Sequence, residues 1–576
     1  MGQEIHFEVF ARKGSAGGWK LAEVMSNRDG AVAYAQNLMA EGATGVKVVK
    51  ETYNEDTGDF LTLKIFEDGH NQVKTQPAQE DLPHALPCFR PEDLYSYHAR
   101  QTIARLIPDF LARNKITVTE LIHRADMLEK LEATGTLLQH AIQKIAVAQA
   151  ATTTTPVQQI IKSLNELTTK SFNRIYRETR SGTFPDIGRG GFGKLATKLV
   201  DKPDGLFVLN GAIARALSGA KGWDEKVVHL LTIMEEVSAE EPSGKLLITA
   251  IDTIIAEVLT GSAALHELIG AQDNLGGALY CLVELFLGKP PQEGGGDGLV
   301  SLTKRFAKDE IPEARTAIAG RILAEIKSVK RLCPDSLIDE FKMLRKIANR
   351  VVLGIGKYLS HEDLIAAFTL RSKRLITHET LGEYLADSTG PDEKLERLLF
   401  VEENVIGAEN KRQLATFVVP ILTAPSFEAH FQSPKVPALT RLQRLAELNG
   451  RVLRSGFQDN QRAEIAELLD RLACEVEARA KLFDSVEAKS SNHVEKATML
   501  LKLFAAGTFT EGRLSAKARE LILSYLSRPG FLSGYVAHVA KSSQQKPDPD
   551  ACVAELMKTL EKAGITAETG LKSIAA

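Results

Sequence analysis

The sequence predicts a predominantly α-helical protein: a large, irregular helical bundle or α-solenoid-like body, preceded by a small α+β domain of ββαββ order. Three observations predict this class. From Pro91 onward, apolar residues recur with helical spacing, and short breaks rich in Gly or Pro separate the segments. Residues 1–66 instead alternate apolar and polar side chains. Aromatic residues make up only 6% of the chain, which favours close helix packing over a β-core.

The N-terminal residues 1–66 are predicted to form two hairpins around one helix. A Gly-rich turn separates the first two apolar runs, and Gly58 can supply the positive φ that the second hairpin requires. Ser26 stands three residues before Asp29, which is the spacing of a capped helix start. The predicted elements are strand 4–11, strand 19–25, a helix ending near Gly42, strand 45–53 and strand 59–66.

Breaks in composition predict the domain boundaries. Prolines among polar residues mark one connector, and the run Pro290-Pro291 followed by a Gly-rich stretch marks a second. The predicted parts are a ββαββ domain (1–66), a Pro-rich linker (67–90), a first helical half (91–287), a Gly/Pro-rich linker (288–298), a second helical half (299–540) and a tail with one amphipathic helix (541–576).

The helical segments carry apolar faces but no repeat consensus. Apolar residues from Leu247 to Leu259 cover a wide arc of one helix, which implies burial on more than one side. Tetratricopeptide, ankyrin and leucine-rich patterns do not recur. If the helices stack as a solenoid, we therefore expect irregular HEAT-like pairs.

Charge and cysteine usage favour a soluble cytosolic protein. The chain has 71 basic and 74 acidic residues, a formal charge of −3, so it lacks the global positive field of a nucleic-acid coat protein. The cysteines are odd in number, scattered and without a C-x-x-C pair. The N-terminus shows neither a signal peptide nor a myristoylation motif, and no apolar stretch approaches the ~20 residues of a transmembrane helix.

A Gly-rich run at 188–195 is the most suggestive ligand motif, since its backbone N–H groups could cradle a phosphate at a helix start. Leu195 stands where a Walker A motif needs Ser or Thr, and 180–187 is not an apolar strand. A flexible loop that caps the next helix is the favoured interpretation. The candidate anion-binding residues are Gly188, Gly190, Gly191, Gly193 and Lys194.

No catalytic, metal or cofactor site is predicted. Glu120 and His123 have Glu-x-x-His spacing, but a second helical copy is missing. The nucleophile-elbow pattern G-x-S-x-G is absent, and pairing a cysteine with a distant histidine would be arbitrary. The acid pair Glu235-Glu236 is interpreted as a solvated helix end before Pro242. The sequence therefore favours a protein that is not an enzyme.

Residues 301–375 carry a local basic excess. One helix shows it geometrically, with an apolar face of Leu344, Ile347, Ala348 and Val351 and cations projecting elsewhere. Such faces commonly serve solubility, and the alternative is a binding surface. The candidate partner-binding residues are Lys342, Arg345, Lys346 and Arg350.

Three functions stay open from the sequence. The first is a non-enzymatic cytosolic scaffold or regulatory protein that binds other proteins through helical surfaces. The second is an enzyme or switch that responds to a nucleotide or phosphate ligand at 188–194. The third is a polyanion binder, for nucleic acid or an anionic membrane, that uses 301–375. For the basic helix, nucleic acid is a weaker choice of partner than an acidic protein, because the helix lacks interleaved aromatic residues. The oligomeric state is not predicted.

Overall fold

The structure is a computed structural model, and seven ranges of the chain are described. They are 5–12, 19–54, 59–69, 85–187, 191–290, 296–542 and 548–566. Gly188 and Gly190 of the Gly-rich run therefore lie outside the described residues, as do parts of the predicted segments 67–90, 288–298 and 541–576.

The N-terminal elements form an antiparallel sheet and one helix, which confirms the ββαββ prediction. The sheet has strand order β2-β1-β3-β4. Each neighbouring pair is antiparallel, and irregular registers occur at Val9/Phe10 and Val48/Val49. The elements are β1 (Ile5–Arg12), β2 (Lys20–Met25), α1 (Arg28–Ala40), β3 (Gly45–Asn54) and β4 (Asp59–Gly69).

Alternation along the strands places one side of the sheet against α1. Val9 lies opposite Val48 in the β1–β3 register, and both are fully buried. Phe10, the next residue after Val9, points to the other side, where the Lys47 ammonium lies 4.6 Å from its ring centroid. The buried residues of this small core are Phe7, Val9, Ala31, Ala35, Val46 and Val48.

The cap of α1 lies one residue later than the sequence spacing predicts. Asn27, rather than Ser26, is the N-cap, and its side-chain oxygen accepts the N–H of Gly30 at 2.6 Å. At the other end Gly42 adopts φ +99°, a conformation that favours glycine, directly after the helix. The prediction that the helix ends near Gly42 is therefore confirmed.

Helices dominate the remainder of the chain, so the predicted helical body is confirmed. The first of these are α2 (Tyr97–Leu106), α3 (Pro108–Asn114), α4 (Val118–Leu121), α5 (Ala125–Ala133), α6 (Leu137–Ala150), α7 (Val157–Arg180), α8 (Phe192–Leu199), α9 (Gly205–Ala216), α10 (Trp223–Met234), α11 (Pro242–Thr260), α12 (Ser262–Ile269), α13 (Leu275–Phe286), α14 (Asp297–Ala307) and α15 (Pro312–Lys327). Then follow α16 (Leu337–Val351), α17 (His361–Leu375), α18 (His378–Ala386), α19 (Pro391–Asn404), α20 (Ala408–Leu422), α21 (Pro425–Gln432), α22 (Ala438–Arg454), α23 (Asp459–Ala480), α24 (Leu482–Lys489), α25 (His493–Ala505), α26 (Arg513–Leu526), α27 (Phe531–Ser542) and α28 (Pro549–Lys562). Short 3₁₀ turns occur at Pro91–Tyr95, Leu217–Gly219 and Val352–Gly354.

The chain divides into two compact units. One comprises 1–102 together with 139–168, and the other comprises 103–138 together with 169–576. Within the second unit, one continuous hydrophobic core extends from Phe192 to Ile565. The wide apolar arc of α11 lies inside this core. Its residues Leu247, Ile251, Ile254, Ile255, Val258 and Leu259 are all buried.

Buried carboxylates connect helices that are far apart in sequence. Asp252 of α11 accepts the N–H groups of Glu313 and Ala314 at the start of α15, both at 2.8 Å. Asp470 of α23 accepts the N–H of Arg513 at the start of α26 at 2.6 Å. A helix start presents unpaired N–H groups and a partial positive charge, so a carboxylate is well suited to it. We call these contacts the long-range caps.

Candidate functional site

The described part of the Gly-rich run lies at the start of α8. Gly191 has φ +97° and precedes Phe192, the first helical residue. The N–H groups of Gly191 and Gly193 both donate to Oε2 of Glu236, at 3.0 and 3.1 Å. Lys194 is exposed beside them and lines a cavity of about 440 Å³.

Glu236 therefore occupies the place where an anion could sit. Its carboxylate satisfies two helix-start N–H groups, so an added phosphate at Gly191 and Gly193 would compete with it. Glu241 also lines the cavity and adds negative charge. The two glycines and Glu236 join α8 to the turn that follows α10.

The acid pair Glu235-Glu236 differs from its interpretation as a merely solvated helix end. Both residues are exposed, yet each carboxylate has a partner in a different helix. Glu236 accepts from the start of α8, and Glu235 lies 3.1 Å from Nη2 of Arg305 in α14. Adjacent acids in a sequence do not reveal such partners, because those are set by tertiary packing.

The four candidate partner-binding cations lie on α16. Ser336 caps this helix by accepting the N–H of Asp339 at 3.2 Å, and the apolar side packs into the core. The predicted apolar residues Leu344, Ile347, Ala348 and Val351 are buried. Lys342, Arg345 and Lys346 are exposed, whereas Arg350 is partly buried.

Two of the four cations are already engaged within the body. Arg350 donates two hydrogen bonds to the Glu284 carboxylate of α13, the one from Nη2 at 2.7 Å. These bonds lower the pKa of Glu284 below its ordinary value. The Lys346 ammonium lies 4.1 Å from the ring centroid of Tyr280, also in α13. Lys342 and Arg345 have no ion pair within the described residues.

Other cations of 301–375 have structural partners as well. Arg371 is buried and donates to the carbonyl oxygens of Ser328 and Lys330, at 2.8 and 2.6 Å. Arg374 donates to the carbonyl of Lys327 at 2.6 Å. The guanidinium groups thus satisfy carbonyl groups at the end of α15 and in the turn that follows it. A part of the basic excess therefore stabilises the fold instead of facing a ligand.

Glu120 and His123 do not converge on a metal site. Glu120 is fully buried and pairs with the Lys226 ammonium, with Oε1 2.5 Å from Nζ. Nδ1 of His123 donates to the carbonyl oxygen of Thr119 at 2.7 Å. Across the described ranges, no group of three or more His, Cys, Asp or Glu side chains is placed to hold a metal ion.

All five cysteines are free thiols. Burial raises the pKa of Cys281, Cys333 and Cys474 to about 11, and it also raises the pKa of Cys88. The thiolate is the nucleophilic form of cysteine, so these four groups are poorly suited to nucleophilic catalysis near neutral pH.

No individual helix in the described part of the chain has both the length and the apolar composition to cross a bilayer. Two pairs of consecutive helices meet both criteria when taken together, but each pair is bent by more than 40° at the break between its helices.

Comparison with known proteins gives no match: neither a family model, nor a curated protein, nor a solved structure is significantly similar to this chain.

Sequence reasoning missed the acids that hold the candidate residues in place. Glu236 has no distinctive signal, but Glu284 does, since it interrupts the apolar stretch from Gly276 to Gly288. A carboxylate in an apolar helix requires a cation or hydrogen-bond donors nearby. That argument predicts a partner for Glu284, although it cannot identify Arg350.

Proposed function

We propose that the protein is a non-enzymatic cytosolic interaction protein that binds an acidic, amphipathic segment of a partner protein along the outer side of α16. The observation that carries the proposal is an exposed stripe on α16 in which two unpaired cations lie between apolar side chains.

The stripe follows from helical spacing. Ile338, Lys342, Arg345 and Asn349 lie at i, i+4, i+7 and i+11, so they share one side of the helix. All four are exposed, including Ile338 at 42%. Val352 continues the line in the 3₁₀ turn after α16 and is 52% exposed. We call these five residues the outer stripe.

The charges of the outer stripe set the chemistry of the partner. Lys342 and Arg345 form no ion pair with described residues, so their charges are available to an acidic segment. Ile338 and Val352 would pack against apolar residues at the two ends of that segment. A span of 14 residues in a helix is about 21 Å, which a partner helix of roughly 15 residues would cover.

Charge reversal tests the proposal. A 15-residue helical peptide with glutamates at its centre and leucines near its ends should bind the wild-type chain, and its affinity should fall with added salt. The double variant Lys342→Glu, Arg345→Glu should bind it at least about tenfold more weakly. Fluorescence anisotropy of a labelled peptide measures both effects.

The matched control is Lys373→Glu with Lys394→Glu. Both of these lysines are exposed, without a described ion pair, and their reversal changes the net charge by the same amount. The control should bind the peptide like the wild type. Equal weakening by both double variants would show a general charge effect and contradict the proposal, as would binding that neither variant changes.

A further inference from the structure

A second cluster of cations lies around a cavity between α10 and α14. The two helices pack together, and the cavity between their C-terminal turns has a volume of about 480 Å³, within the range of small-molecule sites. Its polar lining comprises Ser301, Lys304 and Arg305 of α14, Lys308 directly after that helix, and Thr232 and Glu235 on the α10 side. None of these residues belongs to the outer stripe.

The cavity has a net positive lining once its ion pairs are counted. Arg305 is shared between Glu235, at 3.1 Å, and Glu310, at 2.8 Å. Lys308 lies 3.9 Å from Glu310, at the limit of an ion pair. Lys304 has no ion pair within the described residues and is exposed at the cavity. Lys304 is therefore left without a counter-charge. Arg305 and Lys308 are two further cations that a ligand could contact while they keep their carboxylate partners.

The side of the cavity opposite the cations contributes four apolar residues beside Thr232 and Glu235. Leu231 and Met234 are almost fully buried, and Val228 and Val237 extend this surface. A ligand seated here would contact hydrocarbon on one side and ammonium, guanidinium and hydroxyl groups on the other. An inorganic anion would contact only the cationic and hydroxyl groups and would leave the hydrocarbon side without a contact.

We propose that the cavity binds a phosphate monoester that carries an apolar body. The phosphate dianion is placed between Lys304, Lys308 and Arg305, where charge-assisted hydrogen bonds are strongest, and Ser301 can donate a further bond. The apolar body lies on Val228 and Val237, the more accessible apolar residues of the lining. The same chemistry occurs in soluble phosphate esters and in the headgroup region of a phosphatidic acid, and the experiment separates these two sources.

Phenyl phosphate serves as the soluble probe and inorganic phosphate as its charge-only counterpart. Titration of the full chain, followed by calorimetry, should give at least about tenfold tighter binding for phenyl phosphate. The double variant Lys304→Ala, Lys308→Ala should weaken phenyl phosphate about tenfold. Both side chains are exposed, so the fold should be retained, and an unchanged circular dichroism spectrum and melting temperature would verify this.

Two further variants make the test specific. Lys194→Ala removes a cation from the neighbouring cavity beside Gly191 and should leave the affinity unchanged. Glu235→Gln removes the acid that competes for Arg305 and should tighten binding about threefold or more. A gain of affinity on removing an acid is not expected from a variant that merely disturbs the fold.

Loss of binding in Lys194→Ala but not in the double lysine variant would place the ligand at the Gly-rich run and overturn the proposal. Equal affinity for phenyl phosphate and inorganic phosphate would also overturn it, as would a chain that binds neither of them and is not retained by vesicles with phosphatidic acid. If vesicles with phosphatidic acid retain the chain through Lys304 and Lys308 while phenyl phosphate binds equally well, the site accepts both sources; retention without phenyl phosphate binding identifies the lipid.

Discussion

Replacing Lys226 with methionine should destabilise the helical body by about 3–5 kcal/mol, because it leaves the Glu120 carboxylate buried without its cation. Lys226 and Glu120 are 2% and 0% exposed, and their charged atoms are 2.5 Å apart. At that distance, with an effective dielectric constant of 20, two unit charges attract by about 7 kcal/mol. Each ion loses several kcal/mol on leaving water, so the net contribution of the pair is much smaller than the loss on breaking it.

The paired substitution separates charge from packing. Glu120→Gln keeps the volume and can still accept the N–H of Thr117, but it leaves Lys226 charged and buried. The double variant Lys226→Met, Glu120→Gln buries no unpaired charge. We therefore expect it to lose about 2 kcal/mol less than the sum of the two single variants.

Hydrogen exchange measures this effect locally. A chain of 576 residues with two compact units need not unfold in one step, so opening free energies of the amides in α4 and α10 are more informative than one melting temperature. Single-variant losses below about 1 kcal/mol, or strictly additive losses in the double variant, would refute the reasoning. Nη1 of Arg124 lies 4.0 Å from Oε1 of Glu120, so Arg124 still offsets part of the carboxylate charge when Lys226 is replaced.

Three further predictions concern the carboxylates. Burial raises the pKa of Asp252 to about 6, so between about pH 4 and pH 6 the native state holds a proton that the unfolded state releases. Raising the pH from 4 to 7 should therefore lower the free energy of unfolding by about 2 kcal/mol through this group, and Asp252→Asn should flatten that part of the measured stability–pH profile. Asp470→Ala should cost about 3 kcal/mol in urea unfolding, because it leaves the fully buried Thr510 hydroxyl and helix-start N–H groups without their acceptor. Glu236→Ala should speed amide exchange at Gly191 by about fivefold or more, and an unchanged rate there would contradict the cap.

The secondary structure was predictable because it depends on local periodicity. Alternation around Val9 and the arc of α11 each identified an element and its buried side. The shift of the α1 cap from Ser26 to Asn27 shows the limit of this method. Both residues can cap a helix, and only the backbone conformation decides which one accepts the N–H of Gly30.

The candidate sites were less predictable because their partners are distant in sequence. Helical spacing placed Lys342 and Arg345 on an exposed side of α16, but Arg350 projects toward Glu284, 66 residues earlier in the chain. The cavity between α10 and α14 depends on a packing of helices that no single segment encodes. The sequence identified Lys304 as part of the basic region 301–375. It could not show that Lys304 and Leu231 line the same cavity.

The long-range caps have a mechanical consequence. Aliphatic interfaces between helices tolerate small slides and rotations, since one methyl contact replaces another at little cost. A carboxylate bound to the first N–H groups of another helix has no such neighbouring position. Asp252 and Asp470 therefore each fix the position of one helix relative to another. We expect a displacement of one of these helices to move its partner as a rigid body, because the two cannot slide past each other.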